Sequence, residues 1–247
     1  MDPEYALRYR ELYEKHWWWR AREALIAETI ERVVKHPTAG AILDVGCGDG
    51  LFFERLSRFG PVEGIETDPT GVTLGGPWAN QIHVQPFDES FQPGRRYSLI
   101  LFLDVLEHFA DPLARLRRAL ELLEPNGAIV VTVPAFPALW TSHDVLNRHF
   151  IRYTRGTLEA LARKAGAQVS FCRYFFQWMS PLKLVVRLKE AIARPVPETP
   201  RIPPDWLNNA LYHVSRFEQK VVSRWPIPFG SSLLAVLRAE QDSAFRR

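Results

Sequence analysis

The chain has 247 residues, 47% hydrophobic and 24% charged, which is enough to bury a full core and excludes disorder, a collagen repeat or a disulfide scaffold. Cys47 and Cys172 cannot build a disulfide framework and match no zinc spacing, so a reducing cytoplasm is expected. The net charge of +3 is uneven: residues 1–36 carry 7 basic and 7 acidic groups, 37–172 carry 12 and 15, and 173–247 carry 12 and 6. That small basic excess is not interleaved with any recognised nucleic-acid motif, which disfavours a nucleic-acid partner.

In chain order, Met1-Asp2-Pro3-Glu4 lacks the basic patch and apolar run of a signal peptide. No apolar stretch reaches the roughly 20 residues of a membrane span before Lys or Arg interrupts it. Residues 1–36 read as a helical cap, with Tyr5, Leu12, Trp19, Leu25 and Ile30 among its apolar positions and a break at His36-Pro37. A core over 37–176 follows, in which β-rich runs alternate with helical segments, the pattern of a parallel sheet covered by helices. The strands expected are Ala41–Val45, Val62–Glu66, Gln81–Gln85, Tyr97–Leu103, Ala128–Val133 and Gln168–Phe175. The helices expected between them are Leu51–Phe59, Leu113–Leu123 and Thr157–Ala165, the second stopped before Pro125-Asn126-Gly127.

Residues 177–228 read as a helical insertion, a lid, a dimer face or an interfacial segment. It contains a helix over Trp178–Ala193, a stiff connector Arg194–Pro204 with Pro195, Pro197, Pro200, Pro203 and Pro204, and an amphipathic helix carrying Leu207, Leu211, Val214, Phe217 and Val221. The mixture of Trp178, Met179, Leu182, Leu184, Val185 and Val186 with Lys183, Arg187 and Lys189 suits a peripheral contact with anionic lipid. The stretch 229–247 then supplies a last strand, Ser232–Ala239, and the C-terminus.

The most specific chemical signal is Ile42-Leu43-Asp44-Val45-Gly46-Cys47-Gly48-Asp49-Gly50-Leu51-Phe52, an apolar strand entering a glycine loop and then a helix. Gly46, Gly48 and Gly50 permit close backbone approach to a ligand, and the following helix start presents free N–H groups. The dinucleotide fingerprint would place its third glycine at 51, which is Leu, and Asp44 and Asp49 would repel a pyrophosphate. They would attract a ligand bearing an ammonium and a sulfonium; S-adenosylmethionine is such a ligand. Twenty residues after Gly46, Glu66 ends the second strand in Val62-Glu63-Gly64-Ile65-Glu66-Thr67-Asp68-Pro69, where an acid accepts both ribose hydroxyls. Pro86-Phe87-Asp88 follows the third strand, offering a ring to a purine and a carboxylate to its amine, and Asp104 ends the fourth.

These residues resemble a class I S-adenosylmethionine-dependent methyltransferase over roughly 40–176 and the last strand. The resemblance implies a Rossmann-like, doubly wound α/β sheet of seven strands with the last antiparallel, 177–228 falling between strands six and seven. It implies that Asp44, Gly46, Cys47, Gly48 and Gly50 hold the methionine part of the cofactor, Glu66 its ribose, and the Asp88 region, with Phe87, its adenine; Thr67 and Asp104 are taken as further cofactor-binding residues. S-adenosylhomocysteine would be the product. His16-Trp17-Trp18-Trp19-Arg20-Ala21-Arg22, with His143-Asp144 and His149-Phe150-Ile151-Arg152-Tyr153-Thr154, is similar to a bacterial methyltransferase subgroup associated with glycan, lipid or specialised-metabolite pathways.

Three adjacent tryptophans cannot share one helix face, so one or two should pack inward while another, taken as Trp18, caps the cofactor. Arg20 or Arg22 is placed to grip the methionine carboxylate, and Arg20 is taken. Glu107-His108 with Asp104 would suit a divalent ion; the reading preferred is that they shape the pocket, with no metal assigned. Methyl transfer chiefly needs donor and acceptor aligned and water excluded, with a base only for a poorly ionised acceptor. His149 is the candidate base, with His143 and Asp144 second, and His108, Arg152 and Tyr153 are taken for acceptor binding. The expected reaction is methyl transfer to O or N of a small-molecule, glycan or lipid-linked acceptor, by a monomer or homodimer. A protein or RNA acceptor, or a cofactor-binding scaffold without turnover, are the alternatives.

Overall fold

The computed structural model describes residues 3–34, 40–72, 76–193, 200–222 and 225–240. Seven strands form one sheet: β1 (Ile42–Val45), β2 (Val62–Glu66), β3 (Ile82–Val84), β4 (Tyr97–Leu103), β5 (Leu123–Pro134), β6 (Ala167–Phe175) and β7 (Ser232–Ala239). Their order is β3-β2-β1-β4-β5-β7-β6, parallel through β5, with β7 antiparallel to both neighbours. This is the doubly wound, Rossmann-like sheet that the sequence pointed to. Strand order reverses between β1 and β4, and the crevice beyond their carboxyl ends is where such sheets bind ligands.

Both faces of the sheet are covered, and β1 and β4 are accordingly apolar almost throughout. Leu43, Ile100, Phe102 and Val131 face one layer, built by α4 (Pro112–Leu122) and α6 (Arg155–Ala165), which contribute Leu116 and Leu158. Ile42, Leu99, Leu101 and Val130 face the other, where α2 (Trp17–Val33) contributes Leu25, Ile26 and Ile30 and α3 (Phe53–Leu56) contributes Phe53. Local signals set the helix ends. Asp111 accepts from Ala114 N at the start of α4, Thr154 and Thr157 form a reciprocal cap on α6, and Gly166 closes α6 at φ 93°.

Several elements depart from expectation. The N-terminal helix is two, α1 (Pro3–Lys15) and α2, because His16 leaves the helical region and its Nδ1 accepts from Trp18 N. Asn208 of α8 (Asp205–Lys220) clamps this junction, accepting from Trp17 N at 2.9 Å and donating to Lys15 O at 2.8 Å. The helix expected over Leu51–Phe59 is only α3, with turns on both sides. β5 begins at Leu123, not Ala128, because Tyr97 pairs with Leu123 before the register shifts. The other boundaries differ from expectation by at most two residues. Between β6 and β7 lie α7 (Met179–Ala193) and α8. Residues 194–199 of the proline-rich connector, including Pro195 and Pro197, lie outside the described residues, whereas Pro200, Pro203 and Pro204 lead into α8 in non-helical backbone.

Candidate active site

A cavity of about 960 Å³ opens at the carboxyl ends of the parallel strands. One end is built by the β1 and β2 loops, with Asp44, Gly46, Cys47, Gly48, Glu66 and Thr67 on its wall. Gly46 and Gly48 have φ of 70° and 58°, and a side chain on Gly46 would meet Val105 at 2.7 Å. Above Gly48 nothing lies within 4 Å of a Cβ position, so the loop leaves an open cradle. Glu66 holds that loop: its two oxygens accept from Gly48 N and Asp68 N, each at 3.0 Å. Asp44 is buried, and burial, with the Glu66 charge, raises its carboxyl to about 7 against the pull of Arg22. Burial likewise pushes the Cys47 thiol up, which makes it a packing residue and not a nucleophile. Phe87 lines the cavity with its ring packed against Phe91 and Phe102.

The N-terminal helices roof this end. Trp17 packs into the core against Phe176 and Trp178, while Trp18 and Trp19 line the cavity with Tyr9 and Tyr13. Arg10 of α1 pairs with Asp49 in the glycine loop. Of the two arginines weighed for this end, Arg22 lines the cavity and Arg20 does not. Arg22 forms an ion pair with Asp104 at 2.5 Å and donates to Thr132 Oγ1 at 3.2 Å. Asp104 itself lies at φ 58°, in the left-handed region that aspartate occupies more readily than most non-glycine residues. Arg20 points the other way, stacking on Tyr212 at 4.5 Å and reaching Asn209 of α8.

Two more of the residues expected at the cofactor lie off the cavity wall. Asp88 is not among the residues on the cavity wall; its Oδ1 accepts from Ser90 N at 2.9 Å and Ser90 Oγ at 2.6 Å, a turn-capping role. Gly50 faces Phe53 and Trp78 and is also absent from the wall, so it serves the turn alone.

The opposite end is built by segments after β4 and β5 and by α7. His108, His143, Asn147, His149, Arg152 and Lys183 line it. α5 (Ser142–Leu146) starts with a capping box in which Thr141 N donates to Asp144 Oδ2 at 2.8 Å. The same fully buried carboxylate accepts from Arg152 Nε at 2.8 Å and Nη2 at 2.9 Å, and meets His149 Nδ1 at 2.9 Å. Burial alone would raise Asp144, but the bonds from His149 and Arg152 outweigh it and hold the carboxyl well below its usual range. An ionised carboxylate only accepts, so Nδ1 of His149 carries the proton and Nε2 is left as a base. Asp144 therefore does not contact the cavity and acts as a positioning residue. Arg152 lines the cavity, but its guanidinium is consumed by Asp144 and by the Ala135 carbonyl at 3.0 Å. Tyr153, expected on the acceptor side, is a core residue: it is buried, its hydroxyl donates to Leu106 O, and it is absent from the wall.

The His149 ring meets His108 edge to face at 4.7 Å. Burial, then the neighbouring His149, lowers His108 to about 4, and burial lowers His143 to about 4, so both are neutral near pH 7. Glu107 is fully buried, and neither oxygen has a hydrogen-bond partner among the described residues; burial, reinforced by Asp104, raises its carboxyl well above the usual range. Ligand atoms of Glu107, His108 and His149 lie within 4.8 Å of one another, whereas Asp104 is turned away to Arg22.

The methyltransferase domain family matches residues 18–170. The chain belongs to that family. A ubiquinone biosynthesis O-methyltransferase of Azorhizobium caulinodans is 36% identical over 98 residues, which is 37% of this chain and 39% of that protein. The chain thus aligns with about two fifths of the length of the curated relatives it matches. In fold, it is similar to a chain of the complex between the Haloferax volcanii Trm112 methyltransferase activator and a methyltransferase, with a TM-score of 0.58, 19% identity, and coverage of 97% and 96% of the two chains. A TehB-like S-adenosylmethionine-dependent methyltransferase of Corynebacterium glutamicum gives 0.55, 16%, 96% and 97%. The residues of this family member fit S-adenosylmethionine as cofactor: an open cradle above Gly48 lies beside buried Asp44 and the loop-holding Glu66.

Sequence reasoning missed Tyr9, Tyr13 and Trp19 as roof residues and Lys183 as a cavity residue. Their positions depend on how α1, α2 and α7 dock on the sheet, for which no local motif exists. The Arg22 choice had a signal. On a helix, Arg22 shares a stripe with Ile26 and Trp18, whereas Arg20 lies two residues off that stripe.

Proposed function

We propose that the protein transfers a methyl group from S-adenosylmethionine to an oxygen or nitrogen of a small-molecule, glycan or lipid-linked acceptor. The observation that carries this reading is that one cavity joins the glycine loop, Asp44 and Glu66 to the His149–Asp144 pair. The cofactor supplies a methyl carbon already activated by positively charged sulfur. The chain's own residues do the rest. Asp44, Glu66 and the loop N–H groups orient the donor, and Tyr9, Tyr13, Trp18 and Trp19 roof the site against water. His149 Nε2 takes the proton of an acceptor hydroxyl or ammonium, and Asp144 steadies the imidazolium so formed. His108, neutral and in contact with His149, shapes the acceptor wall.

In this reading 1–36 form the cap, 37–176 the cofactor-binding core, 177–228 the insertion and 229–247 the final strand and C-terminus of one methyltransferase domain. The HWWWR-type motif marks the bacterial subgroup and works as a unit, His16 capping α2 while Trp18, Trp19 and Arg22 reach the cavity. The protein acts in the cytoplasm. No helix among the described residues is long and apolar enough to cross a membrane, and exposed Leu184, Leu188 and Ile192 on α7 favour a peripheral contact with lipid.

Calorimetric titration with S-adenosylmethionine and S-adenosylhomocysteine tests the core of this reading. Micromolar binding is expected by wild type and its loss in both Asp44→Ala and Glu66→Ala; no binding by folded wild type overturns the reading. With an acceptor in hand, His149→Ala should lower turnover about 10²- to 10⁴-fold while leaving S-adenosylhomocysteine affinity unchanged.

A further inference from the structure

The helix α7 is turned inside out relative to an ordinary surface helix. Leu184, Leu188 and Ile192 face solvent, at 45%, 59% and 88% exposure, while the polar residues Lys183, Arg187 and Glu190 form one stripe toward the protein at spacings of four and three. Two members of that stripe are fully engaged. Arg187 donates to the carbonyls of Pro137 and Trp140 at 3.3 and 3.0 Å, and Glu190 accepts from Ser142 N at 2.8 Å and Ser142 Oγ at 2.7 Å. These bonds fix the rotation of α7 against the segment after β5. One turn earlier, the same rotation delivers Lys183 to the cavity wall. Among the described residues no carboxylate, carbonyl or hydroxyl takes a hydrogen bond from its ammonium.

The charges around Lys183 are otherwise spent. Arg152 is consumed by Asp144, Arg22 by Asp104 and Arg10 by Asp49, while His108 and His143 are neutral. Glu107, the other carboxyl at this end, is fully buried with no hydrogen bond to either oxygen among the described residues, and burial raises its carboxyl well above the usual range. The two ends therefore differ: Asp44 and Glu66 line the cofactor end, and at the acceptor end Lys183, lowered to about 8 by burial and then by Arg152 against the pull of Asp144 and Asp104, has no hydrogen-bonded counter-ion among the described residues. Such a cation, half-buried on the wall of a cavity, is complementary to an anionic oxygen group.

Building on the methyl-transfer reading, we propose that Lys183 binds an anionic group, a carboxylate or a phosphate, carried by the methyl acceptor, and so selects acidic acceptors over neutral ones of the same shape. The acceptor lies with its charged end under α7 and its nucleophilic atom toward His149. Arg187 and Glu190 set the register of the helix and touch nothing of the acceptor.

The test uses the full chain saturated with S-adenosylhomocysteine and two matched pairs of probes, 4-hydroxybenzoate against 4-hydroxybenzamide, and phenyl phosphate against phenol. Wild type should bind at least one acid about tenfold or more tighter than its neutral counterpart, and the pair that shows the preference identifies the anion. That preference should fall below about twofold in Lys183→Met and persist in Lys183→Arg, with S-adenosylhomocysteine affinity unchanged in both. Equal or absent binding of acid and neutral probes by wild type, or a preference that survives Lys183→Met, overturns the proposal. A Lys183→Met variant that loses S-adenosylhomocysteine instead would assign the lysine to the cofactor's carboxylate and overturn it equally. Wild type that fails to bind S-adenosylhomocysteine at all brings down the methyl-transfer reading itself, so the two failures are distinct.

Discussion

The two ends of the cavity are made differently. The cofactor end is built on strand termini, where each functional side chain is the last residue of a strand or sits within a few residues of it: Asp44 in β1, Glu66 at the end of β2, Asp104 just beyond β4. The acceptor end is built on short turns and on α7, elements whose placement depends on side-chain contacts such as Asp144–Arg152 and Ser142–Glu190. A one-residue slip would turn a strand's buried side chains to its other face, so register, and with it the first end, is strongly specified by the core. The second is held together by a few polar contacts, each carrying a large share of the geometry.

That contrast predicts its own largest break. Asp144→Asn removes the charge on which Arg152 and His149 converge and leaves Arg152 buried without a counter-charge, so a loss of about 3 to 5 kcal/mol in unfolding free energy is expected near neutral pH. The sign with pH is fixed by the low native pKa of Asp144: its contribution is present above the unfolded value and fades as the carboxylate is protonated in acid. Denaturant titrations of variant and wild type should therefore converge as pH falls below about 4. Equal stabilities at pH 7 would mean that the acceptor end is not held as described.

A middle-sized effect of opposite sign is expected at the cofactor end. Asp44 is raised to about 7 in the folded protein, so the unfolded chain gives up its proton more readily. Folding without ligand is penalised as pH rises through the unfolded value near 4, and the penalty is complete above about 7. Asp44→Asn should raise the melting temperature of the ligand-free protein by several degrees at pH 8 and leave it unchanged below about pH 4, even as it abolishes cofactor binding. A melting temperature lowered at pH 8 would show that Asp44 supports the fold and does not strain it for the ligand.

The smallest effects sharpen the outline of the site. Asp88→Ala and Arg20→Ala should each leave S-adenosylhomocysteine affinity within about twofold of wild type, since one carboxylate caps its own turn and the other side chain binds α8. Arg20→Ala should cost only about 0.5 to 1 kcal/mol of stability, the worth of an exposed cation–π contact. A tenfold loss of affinity in either would restore it to the cofactor wall.

What was legible in the sequence follows the same division. The strands, the glycine loop, Asp44 and Glu66 were readable because the loop and its acids are local, each side chain lying within a few residues of the strand that aims it. His149, proposed from residue chemistry, lies on the cavity wall. The pairings that decide its surroundings were not readable, because whether Arg152 or Tyr153 faces the cavity depends on the bridge between Ala135 and Tyr153 and on a carboxylate eight residues from Arg152. The break at His16 was hidden because its cause, Asn208, lies 191 residues from the N–H of Trp17 that it accepts. Asp88 is a different case: the residue sits at the expected place in the chain, but one of its oxygens caps a turn with Ser90 and it does not reach the cavity wall.

The position of β7 bears on how the protein is made. It fills the slot between β5 and β6, pairing with both, yet 56 residues separate Phe175 from Ser232. At about 5 to 20 residues per second, a ribosome takes roughly 3 to 11 s to cover that interval, during which the facing edges of β5 and β6 have no mate. Val131 and Val133 lie along one of those edges, an invitation to pair with another chain.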